Sequence, residues 1–234
     1  MKYVISLFVG FLSGFPAFLA LMYLNPLSTQ QTLSPLSVTD DSLLQLQYSA
    51  VPEESIVLTN DGDSLVRPTP AAVPELWEDT IKNVEVQIVP LVDNSGRSAG
   101  IGIKFSSDSE ETRLIDSKLM VDSAWHIYLP ELGSLFVDQK ENRWSYYRDI
   151  VLDARMNSAD SWAGNWVGVM TTGPNGLGTG RAFGGNGMLA NVESEFVEVI
   201  SATAYSTETG PVGMDGLLTM TLPDAPTTSV SQSE

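Results

Sequence analysis

Period-two alternation of apolar and polar residues recurs along the chain from residue 84 onward. Residues 84–88, 100–105, 115–122 and 214–222 all show it, and in the second of these Lys104 stands opposite Ile103 and Phe105. One apolar face and one wet face are typical of antiparallel strands. Glycine-rich or asparagine-rich turn signals at residues 93–96 and 184–187 separate such segments. The pattern therefore predicts an all-β domain.

The segment from Trp162 to Met170 indicates how that sheet is arranged. Its even positions alternate large and small side chains, Trp162, Gly164, Trp166, Gly168 and Met170. Such alternation fills the tapering interior of a small barrel, and closure removes the exposed sheet edges. We predict an antiparallel eight-stranded β-barrel, with a β-sandwich as the alternative fold and one short helix near residues 146–156.

The N-terminal region has a different pattern. Residues 4–24 are apolar and uncharged, which is long enough to cross a hydrocarbon core of about 30 Å as a helix. Lys2 precedes this run, and no Lys or Arg follows it before Arg67. The positive-inside rule predicts a single-pass signal-anchor in a bacterial inner membrane, with the C-terminal domain in the periplasm. A cleaved signal peptide is the alternative, although Phe18 occupies the position that favours a small residue before Ala20.

Composition divides the chain into four predicted parts. Residues 1–24 form a transmembrane anchor, and residues 25–72, rich in Ser, Thr, Pro and acidic side chains, form an acidic, partly disordered tether. Within this tether the alternation of residues 44–48 predicts a strand or two at residues 42–59. Residues 73–223 form the β-barrel domain, and residues 224–234 form a disordered tail.

Charge and residue counts exclude several functions. The chain has 234 residues, 12 basic against 29 acidic, for a net charge of −17, so it lacks the basic stripe that nucleic acid requires. It has no Cys and a single His, which excludes thiolate metal sites and Cys nucleophiles. No Lys follows the glycines of residues 173–187, so they do not form a phosphate loop. We predict no metal and no cofactor.

Glu198 is the candidate catalytic residue. It falls in register with Phe196 and Ile200. If this face is interior, desolvation disfavours its charged form and makes it a candidate general base, with Arg181 as a possible partner. If a bulge shifts the register, Glu198 is simply exposed.

Six residues are candidate ligand contacts. Trp162, Trp166 and Met170 share the predicted interior face of one strand, and Arg181 lies on a neighbouring strand. His126 and Tyr128 share one face of a further strand, opposite Trp125 and Ile127. They form either a wet outer face or hydrogen-bonding groups that point into a cavity.

The C-terminal third carries a family resemblance. Residues 178–190 read GTGRAFGGNGMLA, a predicted strand follows at residues 195–205, and residues 213–220 read GMDGLLTM. This resembles the closing hairpins of the allene oxide cyclase and dirigent-like barrels, whose motif is G-x-G-x-F-x-G-x-x-G, with Phe183 one residue late. The resemblance implies an eight-stranded barrel with an apolar lumen, often oligomeric. Activities there include cyclisation of reactive lipids and guidance of radical coupling, and no catalytic residues of those families can be placed on this chain.

Two functions follow from these observations. The first is a membrane-anchored, periplasm-facing β-barrel that binds a small apolar ligand or docks in an envelope complex. The alternative is an isomerase or cyclase that acts on a lipid-derived substrate in the barrel lumen. The partners expected are the lipid bilayer, an apolar small molecule, and an envelope protein complex or a second copy of the chain.

Overall fold

The computed structural model describes residues 10–11, 13–18, 42–60, 74–75 and 84–222. Within these ranges the chain forms eleven strands, a helical segment at residues 144–156 and two 3-10 helices, Pro52–Glu54 and Leu114–Asp116, besides the helical residues 10–11 and 13–18. The strands are β1 Ser42–Ser49, β2 Ile56–Thr59, β3 Val84–Val92, β4 Ser98–Asp108, β5 Met120–Leu129, β6 Gly133–Asn142, β7 Ser161–Val169, β8 Thr171–Gly173, β9 Gly180–Gly187, β10 Glu193–Ser206 and β11 Gly210–Leu222.

Eight of these strands form a ring. Antiparallel pairing runs in the order β1, β11, β10, β9, β6, β5, β4, β3, and the pairing of Gln47 with Val92 joins β3 back to β1. Strand β2 pairs with β3, β7 with β10, and β8 with β6. The predicted antiparallel, predominantly β class is confirmed. A β-sandwich would divide the strands between two sheets, whereas the eleven described strands belong to one.

The first two strands lie inside the segment predicted to be a tether. Strand β1 pairs with β11 over its whole length, from Ser42 opposite Leu222 to Ser49 opposite Asp215. Its alternating side chains bury Leu46 and Tyr48 in the interior. Residues 42–59 of the segment 25–72 therefore belong to the sheet, where the alternation of residues 44–48 predicts a strand or two. The rest of that segment, apart from Asn60, and the tail at residues 224–234 lie outside the described residues.

The helical segment covers one end of the ring. It consists of the α-helix Trp144–Tyr146, the π-helix Tyr147–Leu152 and the α-helix Asp153–Met156, two residues longer at its start than predicted. Ile150 and Ala154 are fully buried. The ring of Tyr146 meets that of Trp166 edge-on, with centroids 5.9 Å apart, which positions Tyr146 against β7.

Strand β4 turns the opposite face inward from the one its pattern indicates. Lys104 is buried, whereas Ile101 and Phe105 are about half exposed. At Gly102 the chain needs a residue without a side chain, since a Cβ there would press on the Trp125 ring. The sequence pattern predicts that the face of β4 that carries Lys104 is exposed to solvent. It is instead an interior face because carboxylates from two distant strands compensate the charge of Lys104.

The even-numbered residues from Trp162 to Met170 do not share one interior face. Met170 is buried in the core, but Trp162 and Trp166 are only partly buried. Their indole rings lie over Gly164 and Gly168, where a Cβ would collide with them. The small residues of this strand therefore accommodate the indoles of the same strand, and they do not taper a barrel interior.

The predicted anchor lies largely outside the described residues. Within residues 4–24, positions 10–11 and 13–18 are helical. Over the part of the chain that the structure describes, no helix has both the length and the apolar character needed to cross a bilayer.

Candidate functional site

Glu198 lies at the centre of a buried polar cluster inside the ring. Strand β10 alternates so that Phe196, Glu198 and Ile200 all point inward. The Nζ of Lys104 on β4 lies 2.8 Å from each carboxylate oxygen of Glu198. The hydroxyl of Tyr48 and the amide of Gln139 also donate to this carboxylate. Its two oxygens therefore accept four hydrogen bonds, which is about the full capacity of a carboxylate.

Lys104 joins two carboxylates. Besides Glu198, its Nζ contacts Glu141 of β6 at 2.7 Å, so its three N–H donors all have partners. The same ammonium lies 5.2 Å from the centroid of the Trp125 ring, within range of a cation–π interaction. A buried ammonium needs this degree of compensation because desolvating an unpaired charge costs several kcal/mol or more.

Glu141 is the second centre of the cluster. It accepts hydrogen bonds from the Ser123 hydroxyl at 2.5 Å, from Gln139 at 3.0 Å and from the Nε of Arg143 at 3.0 Å. Burial by itself raises the pKa of this carboxyl, but the charges of Lys104 and Arg143 outweigh burial and lower the pKa to about 2. Glu141 is therefore a carboxylate throughout the physiological range.

The buried cluster contains two cations and two carboxylates, so its charges cancel. Tyr48 adds no charge, because burial, and next the adjacent Glu198 charge, raise its pKa well above the ordinary value. Burial by itself would lower the pKa of Arg143, but Glu141 and Glu85 reverse this and raise it. The cluster therefore consists of Lys104 and Arg143 as cations, Glu141 and Glu198 as anions, and Tyr48 as a neutral donor.

A cavity of about 80 Å³ adjoins the cluster. On a scale of about 10–15 Å³ for each enclosed water, this is room for roughly six waters or one small organic molecule. One end of it is polar, and the remaining wall is apolar, formed by Ala50, Pro52, Val57, Met170, Ile200 and Met214. The polar end is formed by Tyr48, Glu85, Gln87, Lys104, Ser106, Glu141, Arg143 and Tyr146.

Two hydrogen-bond donors at the polar end have capacity for a ligand. The hydroxyl of Tyr146 is buried and has no hydrogen-bond partner among the described residues. Burial, and next the neighbouring Tyr205, raise its pKa, so it remains a neutral O–H. Arg143 uses two of its five N–H donors on the described residues Glu141 and Ser106, the latter at 3.4 Å. An oxygen-bearing group placed here would meet a hydroxyl and a guanidinium.

The structure revises the roles of the predicted interior residues. Glu198 does not line the cavity. Lys104 and Tyr48 do line it, and both donate hydrogen bonds to the Glu198 carboxylate from the cavity side. Because its oxygens are fully hydrogen-bonded, Glu198 positions other groups and is not available as a general base. Met170 does line the cavity. Trp162 and Trp166 do not, although Trp166 packs against Tyr146.

Arg181, His126 and Tyr128 lie on the outer surface. For His126 and Tyr128 this is the wet outer face that the sequence offered as one of two alternatives, whereas Arg181 does not take the interior position predicted for it. Arg181 is exposed and donates its Nε–H to Asn175 at 2.8 Å, so it does not pair with Glu198. The ring of His126 stacks on Phe136 with centroids 4.5 Å apart. Tyr128 is about half exposed. All three belong to strand positions that alternate away from the core.

Sequence reasoning missed most of the cluster. The missed residues of the cluster and of the polar end of the cavity come from β1, β4, β6, the residue that follows β6 and the helical segment: Tyr48, Lys104, Gln139, Glu141, Arg143 and Tyr146. One signal was present in β6, where residues 138–142 read DQKEN. A strand that is polar on both faces and belongs to a closed ring must turn some polar side chains inward, so this run predicts an interior polar site.

Comparisons with known proteins add little to this geometry. No protein-family model matches the chain, and no curated protein matches its sequence. Among solved structures, the chain is similar to one described as a nonspecific heme-binding cyclase that catalyses a 4 + 2 cycloaddition during neoabyssomicin biosynthesis. That match has 10% identity and a TM-score of 0.35, and it covers 83% of this chain and 73% of the other. A likeness at this level supports no conclusion about activity.

Metal binding has no structural support in the described ranges. No group of three or more His, Asp and Glu side chains there is arranged to hold a metal ion. The buried carboxylates Glu141 and Glu198 are instead paired with Lys104 and Arg143.

Proposed function

We propose that the protein binds a small, predominantly apolar and uncharged molecule in the interior cavity, with one oxygen of that molecule at the polar end. The observation that carries this proposal is the buried Tyr146 hydroxyl, which has no partner among the described residues and borders a cavity with a polar end and an apolar wall. A buried hydroxyl without a partner costs about 1–3 kcal/mol, which a ligand oxygen would recover.

The balance of charges supports a neutral ligand. Lys104 and Arg143 are both paired with Glu141, and Lys104 also with Glu198. An anionic ligand would meet these carboxylates and the nearby Glu85, and a cationic one would meet Arg143. A carbonyl or ether oxygen accepts hydrogen bonds from Tyr146 and Arg143 without adding a charge to the cluster.

Two probes of nearly the same shape test the proposal. Cyclohexanone carries a carbonyl oxygen where methylenecyclohexane carries a CH₂ group. We expect the ketone to bind about five to ten times more tightly, as one net hydrogen bond of about 1 kcal/mol requires, measured by ligand-observed NMR titration. Tyr146→Phe should remove that preference.

The outer surface offers the matched control. Tyr128→Phe makes the same chemical change on a residue that is remote from the cavity, and it should leave the preference for the ketone unchanged. Equal affinity for the two probes in the parent protein, or equal effects of the two substitutions, would overturn the proposal.

A cyclase or isomerase is the second candidate function. The observation that favours it is that Arg143 and Tyr146 both line the cavity, since two donors that reach one carbonyl oxygen would polarise that bond and lower the barrier to addition or enolisation. The infrared stretching frequency of bound cyclohexanone measures this polarisation. A frequency below that of the ketone in water would support the cyclase or isomerase function. A frequency at or above it would indicate that the cavity binds the ketone without polarising its carbonyl.

We also propose that residues 4–24 anchor the chain in a bacterial inner membrane and place the domain in the periplasm. The proposal rests on the uncharged apolar run and on the distribution of Lys2 and Arg67 around it. In that setting the ligand would come from the membrane or from an envelope partner. An alkaline phosphatase fusion after Pro223 should be active, and N-terminal sequencing should begin at Met1 or Lys2. A mature start after Ala20 would contradict the anchor.

A further inference from the structure

The outer surface of the sheet carries a continuous row of apolar and aromatic side chains. Strand register places Ile56, Ile88, Ile103, His126, Phe136 and Phe183 side by side across β2, β3, β4, β5, β6 and β9. We call this row, together with the flanking Ile101, Phe105 and Tyr128, the outer apolar face. It lies on the far side of the sheet from the cavity and takes no part in the proposed ligand site.

We propose that the outer apolar face binds a second copy of this chain, so that the protein forms a symmetric dimer through packed sheets. Six of its side chains are exposed by between 39% and 54%: Ile56, Ile101, Phe105, Tyr128, Phe136 and Phe183. A row that crosses six strands in register forms a broad surface, and two such surfaces pack face to face about 10 Å apart.

The exposed area matches what a dimer needs. At roughly 200 Å² for each aromatic side chain, the four half-exposed aromatic residues present on the order of 350–400 Å², and the isoleucines bring the total to roughly 500 Å². A standard interface buries about 800 Å² on each partner, of which about 65% is apolar in homodimers. That apolar share is about 520 Å², close to the area of the outer apolar face.

Charge favours a second copy as the occupant. The chain has a net charge of −17, so two copies repel each other wherever acidic surfaces meet. The outer apolar face itself contains no Asp or Glu. Of its acidic neighbours in register, Asp138 stands opposite Arg181, and Glu193 stands opposite Phe183 at the β10 end of the row. These carboxylates lie at the edge of the face, so two acidic copies can pack its apolar centre together without placing carboxylates against carboxylates.

Cysteine cross-linking of the full chain tests the proposal directly, because the natural sequence has no Cys. Ala124→Cys places a thiol within the face, between Phe105 and Asp138 on neighbouring strands. Val212→Cys, an exposed position on β11 across the ring, is the control. With a short bismaleimide and the full chain in nonionic detergent, we expect about tenfold more cross-linked dimer from Ala124→Cys.

A charge introduced into the face should separate the copies. Adding Phe136→Asp to Ala124→Cys should abolish the cross-link, whereas adding Val167→Asp, on an exposed residue of β7, should preserve it. Circular dichroism checks that both double variants are folded. Equal cross-linking at positions 124 and 212, or an unchanged cross-link with Phe136→Asp, would overturn the proposal.

A lipid or detergent surface is the competing occupant, and fluorescence separates it from a dimer. A bimane label on Ala124→Cys should show an emission that shifts to the blue as protein concentration rises, since dimer formation depends on concentration. A blue shift that is independent of protein concentration would indicate a lipid-covered face and would contradict the dimer.

Discussion

The ammonium of Lys104 lies 2.8 Å from both carboxylate oxygens of Glu198, a residue 94 positions later in the chain. Both residues are buried, and the pair spans the interior of the strand ring from β4 to β10. The pair holds one side of the polar cluster in place, and Lys104 also lines the cavity, which Glu198 does not. The arrangement of the candidate site thus depends on a contact between strands that are not neighbours in the sheet.

Removing the cation should destabilise the fold strongly. Lys104→Met would leave Glu198 without its charge partner and Glu141 with Arg143 alone. Loss of one partner of a buried ion pair costs about 3–5 kcal/mol in the free energy of unfolding, which urea denaturation measures. Lys118→Met, at an exposed position, should change stability by less than about 0.5 kcal/mol. Equal stability of the two variants would mean that Lys104 is not compensating buried charge.

A double-mutant cycle should show that Lys104 and Glu198 act together. Glu198→Gln should cost about 2 kcal/mol or more, because hydrogen bonds to charged groups contribute about 1.5–3 kcal/mol. Adding Lys104→Met should then cost much less than it does in the parent, giving a coupling of about 1–3 kcal/mol. Glu195→Gln on the outer side of the same strand provides the control. Additive effects in the Glu198 cycle would contradict the pairing.

Acid should weaken the fold in part through Glu141. Its folded pKa of about 2 lies below the ordinary value of 4.5, so the stability it contributes is present above pH 4.5 and is lost as the pH falls from 4.5 towards 2. The full contribution is about 3 kcal/mol, of which about 2 kcal/mol would be gone at pH 3. Glu141→Gln should lower stability at pH 7 and flatten this part of the pH profile. Exposed Glu193→Gln should leave the profile unchanged, and an identical profile for Glu141→Gln would contradict the assignment.

A methyl group at Gly216, which pairs with Tyr48 on the neighbouring strand, should disturb the cluster through Tyr48. Gly216 on β11 faces the ring of Tyr48, and a Cβ there would collide with it. We expect Gly216→Ala to move the Tyr48 hydroxyl away from Glu198 and to cost about 1–3 kcal/mol through overpacking. Gly176→Ala, where a Cβ meets no atom within 4 Å, should be nearly neutral. Urea denaturation of both variants decides the matter, and similar stabilities would show that Tyr48 is not constrained by this contact.

The sequence predicts β10 correctly because all of the information is local. Phe196, Ile200 and Ala202 are apolar and alternate with more exposed residues, and this pattern carries Glu198 to the interior side. On β4 the same reasoning gives the wrong face. Lys104 is buried only because Glu141 and Glu198, from strands distant in sequence, neutralise it. Alternation reports the polarity of a face and cannot report a partner that folding brings to it.

The cavity could not be read from the sequence for a related reason. Its lining comes from seven strands together with loops and helical segments between them, and its most informative member, Tyr146, belongs to a segment that the sequence predicts only as a short helix. That the hydroxyl of Tyr146 has no partner among the described residues is apparent only when the surrounding atoms are placed. By contrast, the polar run at residues 138–142 did contain a usable signal.

The location of a bound ligand tests the central claim most directly. The cavity is lined by the methionines Met170 and Met214, whereas Met156 and Met188 are exposed elsewhere. With ¹³C-labelled methionine methyl groups, titration with cyclohexanone should shift the NMR signals of Met170 and Met214 and leave those of Met156 and Met188 in place. Shifts confined to the exposed methionines, or none at Met170 and Met214 under saturating ketone, would contradict a ligand site in the interior of the ring.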